Sequence, residues 1–418
     1  MAFVTAHYFV SYLHIPNPKS KKNITFTVCR FPFPEKIPNP HSEIPTPELP
    51  SSIIPLFLKF VQNEPLNTKV YKEQDFVPPP EPANLPPQWE YGAKAPSNIA
   101  LVKYWGKKGL QLPMNASLSF ILPQSYTETS GRAIRLAKGE PFSFRFLFEG
   151  AENPAFNRKI ETFFDRIRRY VPYFFQYRWH FESQNNFPHS AGIASSASGF
   201  AALSRMIVSL EKHLYPEREA EFYRAKTSFL SRLGSGSAAR SVTDRIGVWG
   251  KHPMIPGSND LYAIELPFDI HPEFDRMKDM ILLLQTGEKS VSSTRGHALL
   301  ETHPFKIQRI EQAQENLTRL ITALKQGDWE LFGKIVENEA LTLHAMMMTS
   351  EPYYILMQPE TLQWIRRIWQ IRKDTHLPVY FTLDAGANLH VIFPSRITAA
   401  LEKASPELFR VPAIMNDI

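Results

Sequence analysis

A run of small residues leads directly into a helical pattern near the middle of the chain, and it restricts the local backbone more than any other segment. The run extends from Pro188 to Ala197 (PHSAGIASSA), and from Phe200 apolar residues recur at helical spacing. Small side chains let backbone N–H groups approach a ligand, and the first turn of a helix favours an anion. We therefore predict a phosphate-binding loop, although a tightly packed helix start without a ligand fits the same pattern.

Composition indicates an ordinary globular protein with an anionic partner. The chain has 418 residues, of which 43% are hydrophobic, and a formal net charge of +6. No apolar run approaches the roughly 20 residues that span a bilayer, so we predict no membrane partner. Cys29 is the only cysteine, which excludes an internal disulfide framework and favours the cytoplasm. No basic run is interleaved with aromatic residues, so we predict no nucleic-acid partner.

The start of the chain differs from the rest. The first 91 residues contain no glycine and 17 of the 36 prolines. Because proline removes a backbone donor and favours extended chain, we predict a largely irregular extension over residues 1–88, with a short helix at 53–62. Its aromatic content is high for disordered chain, so part of it is expected to pack against the body.

Beyond residue 88 the pattern predicts an α+β fold in two domains, residues 89–275 and 276–418. In the first domain we predict strands at 91–103, 117–122, 127–135, 142–148, 177–185, 246–251 and 261–266, with helices at 157–171, 197–213 and 217–230. In the second domain we predict strands at 280–285, 380–383 and 389–393, with helices at 304–325, 329–348, 361–375 and 396–403.

Two charged residues lie in or beside apolar strands, where a buried charge would need a partner. Lys103 ends the apolar strand IALVK, and a phosphate or carboxylate would offset the cost of burying it; the alternative is an edge strand that points Lys103 to solvent. Asp384 lies in a glycine-containing turn between two apolar strands. It fits either an Asx turn or, beside phosphates and an alcohol, a general base.

A second turn, Gly234–Arg240 (GSGSAAR), combines hydroxyls with a base. It matches the dinucleotide pattern G-x-G-x-x-A, but a helix rather than a strand precedes it, which argues against a dinucleotide site. A turn whose N–H groups and serine hydroxyls face an anion fits better. Arg240 could grip a carboxylate or phosphate through two hydrogen bonds, or form a salt bridge at the surface or between domains. The hydroxyl-rich run Lys289–Arg295 fits either the same anion site or a helix N-cap.

Together these stretches resemble the diphosphomevalonate decarboxylases, a family of the GHMP kinase superfamily. The motifs occur in the family's order over roughly residues 90–395 and include APSNIALVKYWGK, NNFPHSAGIASSA, GSGSAARS, VSST and LDAGAN. The resemblance implies a first domain like domain 2 of ribosomal protein S5 and a ferredoxin-like second domain. It also implies a homodimer and an ATP-dependent decarboxylation that converts mevalonate 5-diphosphate into isopentenyl diphosphate.

The resemblance also implies roles for individual residues. Asp384 would orient or deprotonate the substrate's tertiary alcohol, and Arg240 would grip the substrate carboxylate or the transferred phosphoryl group. Lys103, a third catalytic residue, would line the substrate side and help to hold the diphosphate. Other substrate contacts would come from Tyr104, Asn115, Ser117, Ser235 and Ser237. ATP phosphates, with Mg²⁺ offsetting their charge, would bind Gly192, Ala194, Ser195, Ser196 and Ser198.

Three other functions stay open at this point. Relatives act on the 5-phosphate or a bisphosphate, or stop after phosphorylating mevalonate or a derivative, and several residues here depart from the family pattern. His189 and Ser190 replace Thr-Ala, and Ala387 replaces proline in the Asp384 turn. From a different class, a basic RNA-associated module could share the S5-like fold; its binding would weaken with salt and would not depend on Asp384.

Overall fold

The computed structural model describes residues 69–79, 84–188, 193–285 and 295–418 in full. It describes only the backbone of residues 293–294 and of two strands near the start of the chain. The chain divides into two compact units, Met1–Glu64 and Pro65–Ile418. In the first unit, strands β1 (Ser11–Ile15) and β2 (Ile24–Val28) pair antiparallel. The helix predicted at 53–62 lies outside the described residues.

The second unit begins with a six-stranded sheet. Its strands are β3 (Gln88–Val102), β6 (Ser117–Arg135), β7 (Ser143–Phe148), β8 (Tyr177–Asn185), β9 (Ile246–Trp249) and β10 (Ile264–Glu265). Between β3 and β6 lies a small hairpin of β4 (Lys107–Lys108) and β5 (Leu112–Pro113). The sheet order is β10–β9–β6–β8–β7, and β3 pairs with β6. All pairings are antiparallel except that of β7 with β8.

Strand β6 is continuous where the sequence pattern predicted two strands, at 117–122 and 127–135. The break in the pattern coincides with Pro123, which cannot donate to a neighbouring strand. The register with β3 shifts at the same level, between Pro96 and Ser97. A proline inside a sheet is accommodated at such irregularities, so the strand continues past it.

Three helices and an aromatic core pack against this sheet: α1 (Pro154–Ile167), α2 (Ser195–Leu214) and α3 (Ala220–Gly234). Part of the predicted irregular extension belongs to this core. Tyr71 precedes a 3₁₀-helix at Glu73–Phe76, and Phe76 ends it. Both side chains are buried in the core, where Phe76 stacks on Phe229 with 4.6 Å between the ring centroids. Residues 69–79 therefore pack against the body, whereas the side chains of the aromatic residues between Phe3 and Phe33 lie outside the described residues.

The second sheet contains β11 (Met277–Leu282), β12 (Tyr380–Thr382), β13 (Leu389–Pro394) and β14 (Ala413–Asp417), in the antiparallel order β12–β13–β11–β14. The helices of this half are α4 (Ser293–Leu299), α5 (Lys306–Gln326), α6 (Trp329–Met348), α7 (Pro359–Thr375) and α8 (Thr398–Ala404). The sequence pattern did not predict β14 or α4. The strands and long helices that it predicted elsewhere are present within a few residues of their expected ends.

One hydrophobic core joins the two sheets. It contains Ile99 and Phe120 from the first sheet, Ile281 and Ile392 from the second, and Leu320 from α5. The predicted α+β class is confirmed, and the shared core brings the end of β3 close to the turn after β12. The boundaries 88/89 and 275/276 stay predictions. In the part of the chain that the structure describes, no helix is both long and apolar enough to cross a membrane.

Candidate active site

The centre of the candidate site is an ion pair between two residues far apart in sequence. Lys103 directly follows β3, and Asp384 lies in the turn between β12 and β13. Lys103 Nζ lies 2.9 Å from Asp384 Oδ1 and also donates to the carbonyl of Ala100. The lysine is 1% exposed, whereas the Asp384 side chain is 26% exposed. The structure therefore excludes a solvent-facing Lys103 and leaves the carboxylate accessible.

Burial changes the chemistry of this lysine. Desolvation lowers the pKa of Lys103, and the charge and hydrogen bond of Asp384 oppose that effect. Glu339 also raises the pKa, whereas Arg240 lowers it. The ammonium in turn orients the Asp384 carboxylate through their hydrogen bond. The pair therefore presents a fixed carboxylate next to a cation.

Three buried side chains hold the backbone around this pair. The Lys103 N–H donates to Glu339 Oε2 at 2.8 Å, and Asn115 Nδ2 donates to the Lys103 carbonyl at 3.0 Å. On the other side, His344 Nε2 lies 3.1 Å from the Asp384 carbonyl oxygen and donates to it. Both partners of the ion pair are thus held by their backbones as well as by each other.

Arg240 is a second buried cation beside the pair. It lies in a 3₁₀-helix at Gly236–Val242, where the sequence pattern predicted a sharp turn. Its Nη1 donates to Ser117 Oγ at 2.6 Å, its Nε donates to Ser119 Oγ, and its guanidinium lies 6.0 Å from the centre of the Trp249 ring. Burial lowers the pKa of Arg240 to about 10, and Asp384 acts in the opposite direction. Arg240 is thus charged at neutral pH and is not a surface residue.

Aromatic rings form one wall of the site. The Tyr104 ring lies 4.7 Å from Trp249 and 4.4 Å from His297 on α4. A side chain at Gly236 would meet the Tyr104 ring at 2.7 Å, so only glycine lets the 3₁₀-helix approach this closely. Burial raises the pKa of Tyr104, which therefore stays a neutral donor. Burial, assisted by Lys107 and Arg240, lowers the pKa of His297 to about 3.

The small-residue loop begins α2 on the same side of the molecule. Ala194 precedes the helix in the left-handed conformation (φ 44°), which is unusual for a residue other than glycine. Ser195 is partly exposed and Ser196 is exposed, so both residues are accessible at the start of α2. Ser196 Oγ lies 3.4 Å from Ser235 Oγ, which lies 3.3 Å from Ser237 Oγ. The predicted phosphate loop and the predicted anion turn therefore meet.

Several predicted contacts take a different form in the structure. Ser198 is fully buried and hydrogen-bonded to Thr127, so an ATP contact by its hydroxyl is not supported. Ser117 is also fully buried and supports Arg240 instead of facing the cleft. Asn115 uses Nδ2 on backbone carbonyls, and its buried Oδ1 has no partner among the described residues. This amide oxygen would repel a phosphate, but it can accept a hydrogen bond from the hydroxyl of an alcohol. Gly192 and most of Lys289–Arg295 lie outside the described residues.

Oxygen atoms that could contact a divalent cation lie at the loop and at Asp384. The described residues contain no group of three or more His, Cys, Asp or Glu side chains that could hold a metal ion. Mg²⁺ needs fewer protein ligands, because it keeps several waters and is commonly bound by substrate phosphates with one or two protein oxygens. Ser195, Ser196 and Asp384 offer such oxygens, so the site fits Mg²⁺ carried by a nucleotide.

Comparison with known proteins decides the family. The model of the diphosphomevalonate decarboxylase-like N-terminal domain matches residues 95–259, and that of the mevalonate 5-diphosphate decarboxylase C-terminal domain matches residues 280–416. The chain is also 30% identical to a diphosphomevalonate decarboxylase of Ganoderma lucidum over 325 residues, which are 72% of this chain and 78% of the relative. The chain belongs to the diphosphomevalonate decarboxylase family.

Two further proteins are similar to this chain, one of them a solved structure. A solved structure of MDDEF in complex with MVAPP, AMPPCP and magnesium is 29% identical, has a TM-score of 0.67, and covers 79% of this chain and 97% of its own. A phosphomevalonate decarboxylase of Haloferax volcanii is 27% identical over 309 residues, 72% of this chain and 86% of the relative. The two-domain α+β fold of GHMP type that the resemblance implied is confirmed.

Two residues that hold the decarboxylase site, Glu339 and His344, were not predicted. Both lie on α6, whose helical pattern was predicted correctly. Glu339 falls in the apolar stripe that runs from Val336 to Leu343, and a carboxylate in such a stripe indicates a buried partner. That signal was available in the sequence, but it does not identify the partner.

Proposed function

We propose that the chain catalyses the ATP-dependent decarboxylation of mevalonate 5-diphosphate to isopentenyl diphosphate, with release of ADP, phosphate and carbon dioxide. The observation that carries this proposal is the ion pair of Lys103 with Asp384, 2.9 Å long, beside the buried Arg240. A base next to fixed cations suits an alcohol that must attack a phosphoryl group. The named relatives support the same reaction.

In the proposed reaction, Asp384 accepts the proton of the tertiary 3-hydroxyl as its oxygen attacks the γ-phosphorus of ATP and ADP leaves. The new phosphate ester makes that oxygen a good leaving group. The bond from carbon 3 to this oxygen then breaks, the electrons of the bond to the carboxylate form the carbon–carbon double bond, and carbon dioxide departs. Lys103 and Arg240 stabilise the negative charge that develops on the phosphoryl oxygens.

The two anionic substrates divide the cleft between them. ATP phosphates bind at the start of α2, where exposed N–H groups and the Ser195 and Ser196 hydroxyls favour anions. The mevalonate moiety binds against Tyr104, with Ser235 and Ser237 as hydroxyl donors. Among the described residues Arg240 Nη2 has no hydrogen-bond partner, which leaves it available for the substrate carboxylate or phosphoryl group. Mg²⁺, where present, supplies neutralising charge on the nucleotide.

A second candidate substrate is the 5-phosphate, because one of the relatives is a phosphomevalonate decarboxylase. The test is release of labelled carbon dioxide from carboxyl-labelled 5-diphosphate and 5-phosphate, compared side by side with ATP and Mg²⁺. We expect a higher kcat/KM with the 5-diphosphate. A preference for the 5-phosphate would assign the second activity, and consumption of ATP without release of carbon dioxide would make the chain a kinase.

We also propose a cytoplasmic homodimer. Its support is the family's usual assembly and the single cysteine in 418 residues. Light scattering during gel filtration measures the mass in solution, and a mass close to twice 48.0 kDa is the expected result.

A further inference from the structure

A buried carboxylate on α6 contacts the candidate catalytic lysine only through the backbone. Glu339 is fully buried and accepts four hydrogen bonds. Arg309 on α5 donates to both of its oxygens, at 3.0 and 2.6 Å, and Asn316 donates to Oε1 at 2.7 Å. The fourth donor is the N–H of Lys103 at 2.8 Å. Three of these bonds are satisfied within the second sheet's helices, and the fourth reaches the first domain.

The fourth bond is made where β3 ends. Strand β3 ends at Val102, so the Lys103 N–H belongs to the first residue that the sheet no longer fixes. Lys103 Nζ must nevertheless lie within hydrogen-bond distance of Asp384, whose turn belongs to the second sheet. The helix α6 and this turn are parts of the same half of the molecule. The hydrogen bond from the Lys103 backbone to Glu339 therefore holds the lysine against the half that carries Asp384.

Charge adds to this effect. Lys103 is surrounded by Asp384 from the turn after β12, Glu339 from α6 and Arg240 from the 3₁₀-helix. Burial is the main influence on the pKa of Lys103 and lowers it. Arg240 also lowers this pKa, whereas the two carboxylates raise it. Asp384 accepts a proton in the proposed reaction and so loses its negative charge during turnover. Glu339 is the carboxylate whose charge stays constant.

We infer that Glu339 is a positioning residue that fixes the Lys103 backbone against the Asp384 turn and keeps a negative charge beside Lys103 through the reaction. The inference rests on the roles proposed above for Lys103 and Asp384. Glu339 does not touch the reacting atoms. A carboxylate that served only to neutralise Arg309 would contribute to stability but would not change how activity depends on pH.

The same helix provides a matched control. Glu337 lies two residues away, is also buried, and pairs with Arg372 at 2.7 Å and with the Trp369 indole at 3.0 Å. Its partners lie on α7, on the side of α6 away from Lys103. Replacing Glu337 by Gln therefore removes a partly buried ion pair on the same helix without changing the contacts of the site.

The experiment compares pH profiles of kcat for the wild type, Glu339→Gln and Glu337→Gln. We expect Glu339→Gln to lower kcat about 10- to 100-fold with nearly unchanged KM for ATP, because a small displacement of a catalytic group has effects of that size. Glu339 raises the pKa of Lys103, so removing its negative charge should move the alkaline limb to lower pH. Glu337→Gln should lose thermal stability without either change.

A double variant keeps the inference testable if Glu339→Gln, with its unpaired Arg309, does not fold. Glu339→Gln combined with Arg309→Met removes both charges, and removal of a whole buried pair often preserves stability. The inference predicts that this variant regains stability but not kcat and keeps the shifted limb. Full recovery of kcat with stability would overturn the inference, as would a wild-type profile in Glu339→Gln. Failure of the wild type to release carbon dioxide would instead overturn the proposed function.

Discussion

At the scale of single residues, the site depends on two buried cations whose surroundings differ. Lys103 pairs with a carboxylate, whereas Arg240 is held by the hydroxyls of Ser117 and Ser119 and has no carboxylate within hydrogen-bond distance in the described chain. Neutral partners leave most of the arginine's charge available to an anion. A planar guanidinium held at two nitrogens also presents the third in a fixed direction.

Arg240→Lys tests this assignment. Lysine keeps the charge but cannot bond both serines and a substrate anion at once, so a charge-assisted hydrogen bond is lost. Such a bond contributes about 1.5–3 kcal/mol, so we expect kcat/KM to fall about 10- to 150-fold in steady-state assays. Arg205→Lys is the control, because within the described residues Arg205 donates only to the backbone carbonyls of Lys94, Ser241 and Val242. Equal losses in both variants would contradict the role of Arg240.

At the scale of elements, α4 closes one wall of the site through His297. Its ring lies between Tyr104 and Trp105, and its Nδ1 accepts from the Gly106 N–H at 3.0 Å. An acceptor at Nδ1 requires the neutral tautomer with hydrogen on Nε2. The helix therefore packs correctly only while this histidine is uncharged.

That requirement predicts a pH dependence of stability. The pKa of His297 is lowered from 6.5 to about 3, so below pH 6.5 the unfolded chain binds a proton that the folded chain does not. The contribution of neutral His297 to the free energy of unfolding is complete above pH 6.5 and is lost as the pH falls towards 3. Between pH 7 and 5 the free energy of unfolding should fall by about 2 kcal/mol through this residue. Urea unfolding of the wild type and His297→Gln at both pH values measures it. Equal pH dependence in the two proteins would rule out this contribution.

Elements and motifs differ in how far they could be predicted. The strand before Lys103 and the strands around Asp384 follow from apolar patterns, and the resemblance supplied the residues' roles. The pattern over α6 also predicted a helix, but it did not show that Glu339 and His344 face Lys103 and Asp384. Such contacts depend on how distant segments pack. Strand β14 was missed because Ala413–Asp417 is too short and polar to stand out before a partner strand is known.

At the scale of the molecule, the reaction depends on the meeting of two sheets. Lys103 and Asp384 are 281 residues apart in sequence, and each follows a strand of a different sheet. The core shared by the sheets, together with the bond from Lys103 to Glu339, holds them within hydrogen-bond distance. The first sheet also carries Arg240 and the start of α2. The proposed reaction therefore requires both halves in one arrangement, in which Asp384 is the only proposed base.

The most direct test of this account is a single-turnover measurement of ADP formation and labelled carbon dioxide release by Asp384→Asn, with ATP affinity measured in parallel. Asparagine keeps the size of the side chain but cannot accept the proton of the alcohol. We expect neither product on the wild-type time scale, and ATP affinity within a few-fold of that of the wild type, because the nucleotide phosphates bind at the start of α2. Wild-type rates of both products in Asp384→Asn would contradict the account.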